Sequence, residues 1–328
     1  MQATMHTADA EKARRRRSIF DNDRLLGSIL LAPAVLYIAL LVGVPFVLAI
    51  AFSFTDVTTG NPTLTFVGLD TFSHVVQDIN FQRALFNTLL FTAISQVVVI
   101  ILANILAPAL TQRFPGKWLV RFLILLPWAT PVALATLGWW WMLDSVYSPF
   151  NYFLRGAGLL GPNDSMIWLG PQHLIGILMP NASGSLQWWG LNLSGLMVIL
   201  VNIWRLLPMS TVIIMAGLTS IPPEIRDAAT VDGANFLQEF WYVTVPLLRP
   251  ITAVAFLFGV VFTFTDMAVV RVLTTGNNDT HVLASWAFFK GIEGGSLSEG
   301  AATAVFLLPV LIGVAVIMLR IARRAEVT

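Results

Sequence analysis

Six long apolar stretches divide the chain, and shorter polar segments separate them. Each stretch is longer than the roughly 20 residues that an α-helix needs to cross the hydrocarbon core of a bilayer. Open strands would leave backbone groups without hydrogen bonds in lipid, so the pattern predicts helices. The expected fold is therefore an all-α membrane protein with about six transmembrane helices. The predicted spans are residues 25–54, 84–110, 118–143, 193–218, 243–273 and 301–321.

Several of these stretches contain proline inside the apolar run. A proline in a membrane helix either bends a packed helix or marks a broken helix that lines a cavity, and the sequence leaves both interpretations open. The prolines in question are Pro33, Pro45, Pro127, Pro131 and Pro208.

The composition excludes an ordinary soluble domain. Of 328 residues, 56% are hydrophobic and only 11% are charged, whereas soluble domains carry about 25% charged residues. There is no cysteine, which excludes disulfides and thiolate chemistry. The four histidines lie far apart, without the spacing of a metal site.

Lysine and arginine positions predict the orientation. With the N-terminus inside, 14 of the 19 fall in cytoplasmic segments, four fall outside, and Arg205 lies within a span. Both termini are therefore expected in the cytoplasm, with residues 1–24 as a basic tail, 25–322 as the transmembrane domain and 323–328 as a C-terminal tail. The arginine run at residues 14–17 suits contact with membrane lipid headgroups. Nucleic acid is not an expected partner, because no folded reader or aromatic platform accompanies the run.

Residues 219–246, between the fourth and fifth stretches, carry the strongest functional signal. Pro223 suits a first helical turn, and Glu224 and Asp227 complement the positive end of the helix dipole. Gly233 permits a sharp turn, and a second short helix is expected before Pro246 opens the fifth span. Small alanines on this turn would let it enter a groove on another protein. The alternative is an ordinary cytoplasmic loop.

This segment resembles the signature of importer permeases that work with ATP-binding cassette subunits. Their pattern is EAA, three residues, G, nine residues, then IxLP. The chain has Asp-Ala-Ala at 227–229, Gly233, and Val-Thr-Val-Pro at 243–246 in the same spacing. The departures are Asp for Glu and Val for Ile and Leu. Residues 66–70, 84–89, 216–222 and 273–276 also resemble carbohydrate permeases, and the first span, with Pro45 and residues 53–56, is similar to the MalF/UgpA-type subunit.

The resemblance implies a type I ABC importer permease in a bacterial inner membrane. Its expected partners are a second, MalG-type permease, two ATP-binding cassette subunits and an external solute-binding protein. No cofactor is expected on this chain, which is not expected to be an enzyme: ATP and Mg would bind the partner subunits, because the sequence has no Walker-type phosphate loop. The residues expected to couple to the ATPase are Glu224, Asp227, Ala228, Ala229, Asp232, Gly233, Val243 and Pro246.

Polar and aromatic residues within the spans are candidates for a substrate path. An isolated charge such as Arg205 is costly in a membrane, and it either contacts substrate hydroxyls or pairs with Asp266 to hold two helices together. Aromatic faces such as that of Trp140 either stack on sugar rings or belong to the interfacial belt. Polar amides either line the path or join helices. The candidate path residues are Asn104, Trp140, Asn202, Arg205 and Asp266.

The function expected from these features is import of a sugar by alternating access. A permease for glycerol-3-phosphate or another small solute is an alternative, because the subunits look alike. A secondary transporter should show related halves and mid-membrane carboxylates, of which Asp266 is the one example. A membrane enzyme should show clustered histidines or carboxylates near one interface, and the sequence has none.

Overall fold

The computed structural model describes residues 23–170, 192–275 and 279–326. The predicted basic tail lies almost wholly outside these residues, as does part of the long segment before the fourth span. The chain divides into two compact units, Met1–Phe52 and Ser53–Thr328. Within the described residues the regular secondary structure is helical, apart from isolated β-bridges such as those that pair Thr55 with Phe66 and Thr58 with Asn61.

The helices are numbered in chain order. In the first unit, α1 (Asp23–Ile38) continues through a π-helical segment (Ala39–Gly43) into α2 (Val44–Ser53). The helices that follow are α3 (Asp70–Gln77), α4 (Ile79–Thr111), α5 (Lys117–Ala129), α6 (Val132–Met142), α7 (Pro149–Gly156), α8 (Leu193–Ser220), α9 (Pro223–Val231), α10 (Phe236–Gln238), α11 (Val245–Thr265), α12 (Ala268–Thr274), α13 (Leu283–Phe288), α14 (Leu297–Val305) and α15 (Leu307–Glu326). Two further π-helical segments are Glu239–Thr244 and Phe289–Glu293.

The prediction of an all-α membrane protein with about six spans is confirmed. In the described residues, five continuous helical runs are long and apolar enough to cross a membrane, and a bent pair of helices makes up to six. The five runs are Leu26–Ser53, Ile79–Thr111, Leu193–Ser220, Phe236–Thr265 and Leu297–Ala322.

The third apolar stretch is not one helix, as its length suggested. Helices α5 and α6 meet at a bend of 95°. Thr130, between them, has an extended backbone (φ −76°, ψ 136°), because the residue before a proline, here Pro131, is pushed out of the helical region. The broken-helix interpretation of these prolines therefore holds for this stretch.

The fifth span also differs from the predicted residues 243–273. The helix begins at Phe236, runs through a π-helical segment into α11 and ends at Thr265. Asp266 has an extended backbone (ψ 118°), and α12 follows. The Asp266 Oδ1 atom accepts a hydrogen bond of 2.6 Å from the Ala268 amide, which satisfies a donor that the start of the new helix would leave unpaired.

Two of the π-helical segments end two residues before a proline. Ala39–Gly43 comes before Pro45, and Glu239–Thr244 comes before Pro246. A proline has no amide hydrogen and its ring clashes with the carbonyl four residues earlier, and a π turn widens the helix at that point. Pro246 is therefore the second residue of α11 but not the start of the span, which corrects the expectation that it opens the fifth span.

Helix α8 is the central helix of the second unit. Of the 18 most apolar consecutive residues of this helix, 61% are buried, compared with 33% in α4. Helix α8 packs chiefly on α4 and α11. Small residues bring these helices close together. A Cβ on Gly217 would lie 2.9 Å from the Ile251 side chain, and Ala103, Ala107 and Ala255 are buried in the same cluster. Close approach of backbones is how membrane helices gain packing energy.

Replacing Gly300 with alanine is expected to destabilise the protein. A Cβ there would lie 2.4 Å from the Gly291 Cα, a backbone atom that cannot turn aside. Overpacking of this kind costs about 1–3 kcal/mol, which thermal unfolding in detergent would measure. Gly313→Ala is the matched control, since no atom lies within 4 Å of a Cβ there; alanine should stabilise that helix by about 0.5–1 kcal/mol. Equal unfolding temperatures for the two variants would contradict the close contact.

Candidate functional site

Residues 221–244 form a compact bend between α8 and the fifth span, called the elbow here. Its helix α9 begins with Pro223 and has Glu224 in the first turn. Gly233 has φ +83°, a left-handed conformation that favours glycine. The amides of Gly233 and Ala234 donate to the carbonyls of Thr230 and Ala229, each at 3.0 Å. The alanines and the glycine thus form the helix-ending turn that the sequence predicted.

The second half of the elbow is fixed by a capping box. The Gln238 amide donates to Asn235 Oδ1, and the Asn235 amide donates to Gln238 Oε1, each at 2.9 Å. This pair satisfies two free amides at the start of the fifth span. The turn between Gly233 and Phe236 is therefore held by hydrogen bonds on both sides.

An ion pair joins the two halves of the elbow. Arg226 Nε on α9 lies 2.6 Å from Glu239 Oε1, at the start of the π-helical segment. Arg226 is about half exposed, whereas Glu239 is mostly buried. An exposed pair contributes roughly 0.2–1 kcal/mol, so its main effect is to fix α9 relative to the fifth span.

The predicted coupling residues form an accessible surface. Glu224, Asp227, Ala228, Asp232 and Gly233 are exposed, and Val243 and Pro246 are half-buried. Ala229 is the buried member of the set, and it packs inside the turn.

Large apolar side chains border this surface, and sequence reasoning missed them. Val231 and Tyr242 are 87% and 80% exposed, and Phe236 and Leu237 are also exposed. Two grooves flank the elbow, one of about 330 Å³ beside the Arg226–Glu239 pair and one of about 320 Å³ beside Gly233. Exposed apolar patches with polar rims are typical of protein interaction sites.

A second polar group of residues lies inside the helix bundle. Arg205 Nη2 on α8 lies 2.6 Å from Asp266 Oδ2 at the end of α11, and the two side chains are only 11% and 14% exposed. Arg205 Nη2 also donates to Asn202 Oδ1 at 3.4 Å. The pairing that the sequence raised for Arg205 and Asp266 is therefore present, and Asn202 lies beside it.

Thr263 connects this pair to α4, a role that sequence reasoning missed. Its hydroxyl accepts hydrogen bonds from Gln96 Nε2 (3.1 Å) and Asn202 Nδ2 (3.0 Å) and donates to the Gly259 carbonyl (2.8 Å). Gly259 makes room for Gln96, because a Cβ there would lie 1.9 Å from Gln96 Oε1. A signal was available in the spacing, since Thr263 lies one helical turn before Asp266. The polar layer comprises Gln96, Asn202, Arg205, Thr263 and Asp266.

The polar layer lies near the middle of α4 and α8 and at the C-terminal end of α11. Arg205 is roughly 18 Å from the start of α8 and 22 Å from its end, at 1.5 Å per residue. Within the layer, Arg205 Nε, Gln96 Oε1 and Asp266 Oδ2 are buried without a hydrogen-bond partner, although Asp266 Oδ2 is ion-paired with Arg205. A cavity of about 20 Å³ borders Asn202, Thr263 and Asp266, which is space for about one water molecule. The layer is therefore closed to larger solutes in this conformation.

Two predicted path residues lie away from the polar layer. Asn104 lies two helical turns from Gln96 toward the elbow, where it lines a separate cavity and donates to the Ile100 carbonyl at 2.9 Å. Trp140 is 43% exposed on α6. The aromatic side chain that lines the small cavity beside the layer is instead Phe91.

Charge pairs hold the end of the bundle opposite the elbow. Lys290 lies 3.1 Å from both Asp78 and Glu299. Burial lowers its pKa, but the hydrogen bonds to the two carboxylates outweigh burial and raise the pKa overall. Arg271 pairs with Glu293, and its hydrogen bond lowers the pKa of that carboxyl. Both pairs are therefore ionised at neutral pH.

Comparison with known proteins identifies the class. Residues 99–326 match the family model described as binding-protein-dependent transport system inner membrane component. The chain belongs to this family. It is the permease component of an ABC importer, a multi-pass inner-membrane protein that is not itself catalytic.

Individual relatives agree with the family. The sulfoquinovosyl glycerol transport permease SmoG of Agrobacterium fabrum is 28% identical over 93% of this chain and 92% of its own. The sn-glycerol-3-phosphate transport permease UgpA of the same organism is 26% identical over 78% of this chain and 80% of its own. The resemblance to the MalF/UgpA type is thus confirmed.

A solved structure shares the fold. It is a chain of a bacterial alginate ABC transporter in complex with an alginate pentasaccharide-bound periplasmic protein. The two chains superpose with a TM-score of 0.74 at 19% identity, over 94% of this chain and 98% of that one.

Asp266→Asn is expected to lower the stability of the permease. Asparagine keeps the Oδ1 acceptor for the Ala268 amide but leaves Arg205 buried without a counter-charge, which costs about 3–5 kcal/mol. Thermal unfolding of the purified protein in detergent would show the loss. The double variant Arg205→Gln with Asp266→Asn should recover part of it, because no unpaired charge remains. A single variant as stable as the original protein would show that the ion pair contributes nothing.

Proposed function

We propose that the chain imports a sugar, with the elbow seated on an ATP-binding cassette subunit and the polar layer in contact with the sugar. The observation that carries the proposal is the elbow itself: a Pro-started helix, an Ala-Ala turn and a left-handed glycine, exposed and flanked by two grooves. A rigid, small-residue protrusion bordered by apolar side chains suits a groove on a partner.

The proposed complex contains a second homologous permease, two ATPase subunits that bind ATP and Mg, and an external solute-binding protein. The lysine and arginine distribution supports an orientation with both termini and the elbow in the cytoplasm. The alginate transporter with which the chain shares its fold is described with a periplasmic binding protein, which supports the same kind of assembly.

The geometry supports a direct mechanical connection between elbow and polar layer. The Arg226–Glu239 pair fastens α9 to the start of the fifth span, and that continuous helix ends beside Thr263 and Asp266. Closure of the ATPases would move the elbow and displace this end of the helix. Such a displacement would shift the equilibrium between two packing arrangements of the bundle. Alternating access requires two arrangements of this kind.

The chemistry of the polar layer favours a neutral, hydroxyl-rich substrate. The unpaired Arg205 Nε donor and Gln96 Oε1 acceptor are groups that sugar hydroxyls can satisfy, and Phe91 lines the cavity beside them. MalF of Thermococcus litoralis, which is named for transport of trehalose and maltose and is 24% identical over 91% of this chain, supports the same class.

Glycerol-3-phosphate is the second candidate, favoured by Arg205 and by the relative UgpA. Its phosphate would have to draw Arg205 away from Asp266, leaving a carboxylate buried without a partner. The cost of an uncompensated buried charge, about 3–5 kcal/mol, makes this candidate weaker than a neutral sugar.

Gly233→Val is expected to abolish ATP-driven uptake while the protein still inserts and assembles. Valine strains the left-handed backbone at φ +83° and adds bulk at the docking surface. Gly116→Val is the matched control, because Gly116 also has a left-handed φ (+74°) and open space around its Cα, yet lies outside the elbow. Uptake and ATPase activity in proteoliposomes would be measured for both.

The control variant should retain most of its uptake. If both variants lose uptake equally, backbone strain alone explains the result. Normal uptake by the Gly233 variant would remove the coupling role from the elbow.

The substrate class is tested with the cognate solute-binding protein. Calorimetry with a panel of mono-, di- and oligosaccharides and with glycerol-3-phosphate is expected to give binding for a sugar only. Asn202→Ala in the permease should then lower uptake of that sugar by about tenfold, the effect of losing one hydrogen bond in a buried site. Tight binding of glycerol-3-phosphate and of no sugar would refute the sugar assignment.

A further inference from the structure

A cleft of about 480 Å³ opens between α4, the fifth span and α15. Its volume is within the range of small-molecule sites, about 300–1,000 Å³. The lining is almost entirely apolar, with Ile101, Phe256 and Met318 as examples and Asn104 as one polar group. Ile101 and Ile105 are more than half exposed at its edge, so the cleft is accessible from the side of the bundle.

One cation, Arg249, lines this apolar cleft. Its side chain is exposed, and within the described part of the chain it takes part in no hydrogen bond or ion pair. Trp241, an aromatic residue of the kind enriched at membrane interfaces, lines the cleft beside it. The cleft therefore combines an apolar volume with one unpaired positive charge.

The cleft is separated from the polar layer by depth along the fifth span. At 3.6 residues per turn, Val245, Thr252 and Phe256 share the Arg249 face of the helix. Thr263 of the polar layer lies about 40° around the helix from Arg249 and roughly 21 Å further along it. The cleft and the proposed substrate path thus lie at different depths of the fifth span.

The depth of Arg249 fits the level of lipid headgroups. It lies 17 residues before Asp266, which corresponds to roughly 25 Å along the helix from the mid-bundle polar layer. Half of the hydrocarbon core is only about 15 Å thick. Asn104 and Ile101 lie between these two levels, at the depth of the acyl chains.

We infer that this cleft binds an anionic phospholipid, with an acyl chain against Ile101, Phe256 and Met318 and the phosphate paired with Arg249. Basic positions between membrane helices bind anionic headgroups in this way. Placement in the cytoplasmic leaflet rests on the proposed orientation, but lipid binding itself does not. An apolar helix of a partner subunit is a poorer occupant, because it would bury Arg249 without a counter-charge.

The test uses the purified, delipidated transporter complex and native mass spectrometry. Phosphatidylglycerol is expected to bind about fivefold more tightly than phosphatidylethanolamine, because both lipids carry a phosphate but only phosphatidylethanolamine carries an ammonium group that offsets the attraction to Arg249. Arg249→Gln should remove this preference, and Arg249→Lys should keep it. Arg320→Gln is the matched control, since Arg320 is exposed near the same end of α15 but about 160° around the helix from the cleft residue Met318.

Several results would overturn the inference. One is an equal preference for phosphatidylglycerol in the Arg249→Gln and Arg320→Gln variants. Another is displacement of phosphatidylglycerol by inorganic phosphate, because inorganic phosphate cannot occupy the apolar part of the cleft. If Arg249→Gln does not assemble, Ile105→Trp at the edge of the cleft replaces it, and unchanged lipid binding in that variant would equally refute the site. None of these experiments measures uptake. Their results would therefore stand even if the proposed transport function were refuted.

Discussion

A polar group without a partner costs several kcal/mol in hydrocarbon, and this constraint governs the interior of the bundle. Where the fifth span breaks, Asp266 uses one oxygen for the Ala268 amide and the other for Arg205. The Thr263 hydroxyl uses one donor and two acceptor positions to join three helices. The helix break, the buried charge pair and the amide contacts are therefore parts of one arrangement. Removing any one of them would leave buried polar groups of the others without partners.

Much of this architecture was predictable because its causes are local in the sequence. Apolar length identified the spans, since only a helix of about 20 residues satisfies its own backbone across a bilayer. Pro223, Glu224 and Gly233 predicted the elbow, because each is suited to one position of a short helix and its final turn. Arg205 and Asp266 attracted attention as charges within apolar runs, and pairing was one of the two roles considered for them.

The remaining features depend on which helices are neighbours, which periodicity does not reveal. Pro131 indicated a boundary but not a bend of 95°. Asn104 and Asn202 were equivalent in the sequence, and only packing separates a residue in the lipid-facing cleft from one in the polar layer. The sequence does not distinguish Gly259 from any other helical glycine, and only the packing shows that it faces Gln96.

Because the fifth span is one continuous helix, a small tilt at its elbow end moves its other end by a larger distance. From Phe236 to Thr265 the helix has 30 residues, or roughly 45 Å at 1.5 Å per residue. A tilt of about 5° at the elbow end would then sweep the far end through about 4 Å. That distance exceeds the length of a normal hydrogen bond, about 3 Å, so a small movement at the elbow is large enough to separate Asp266 from Arg205.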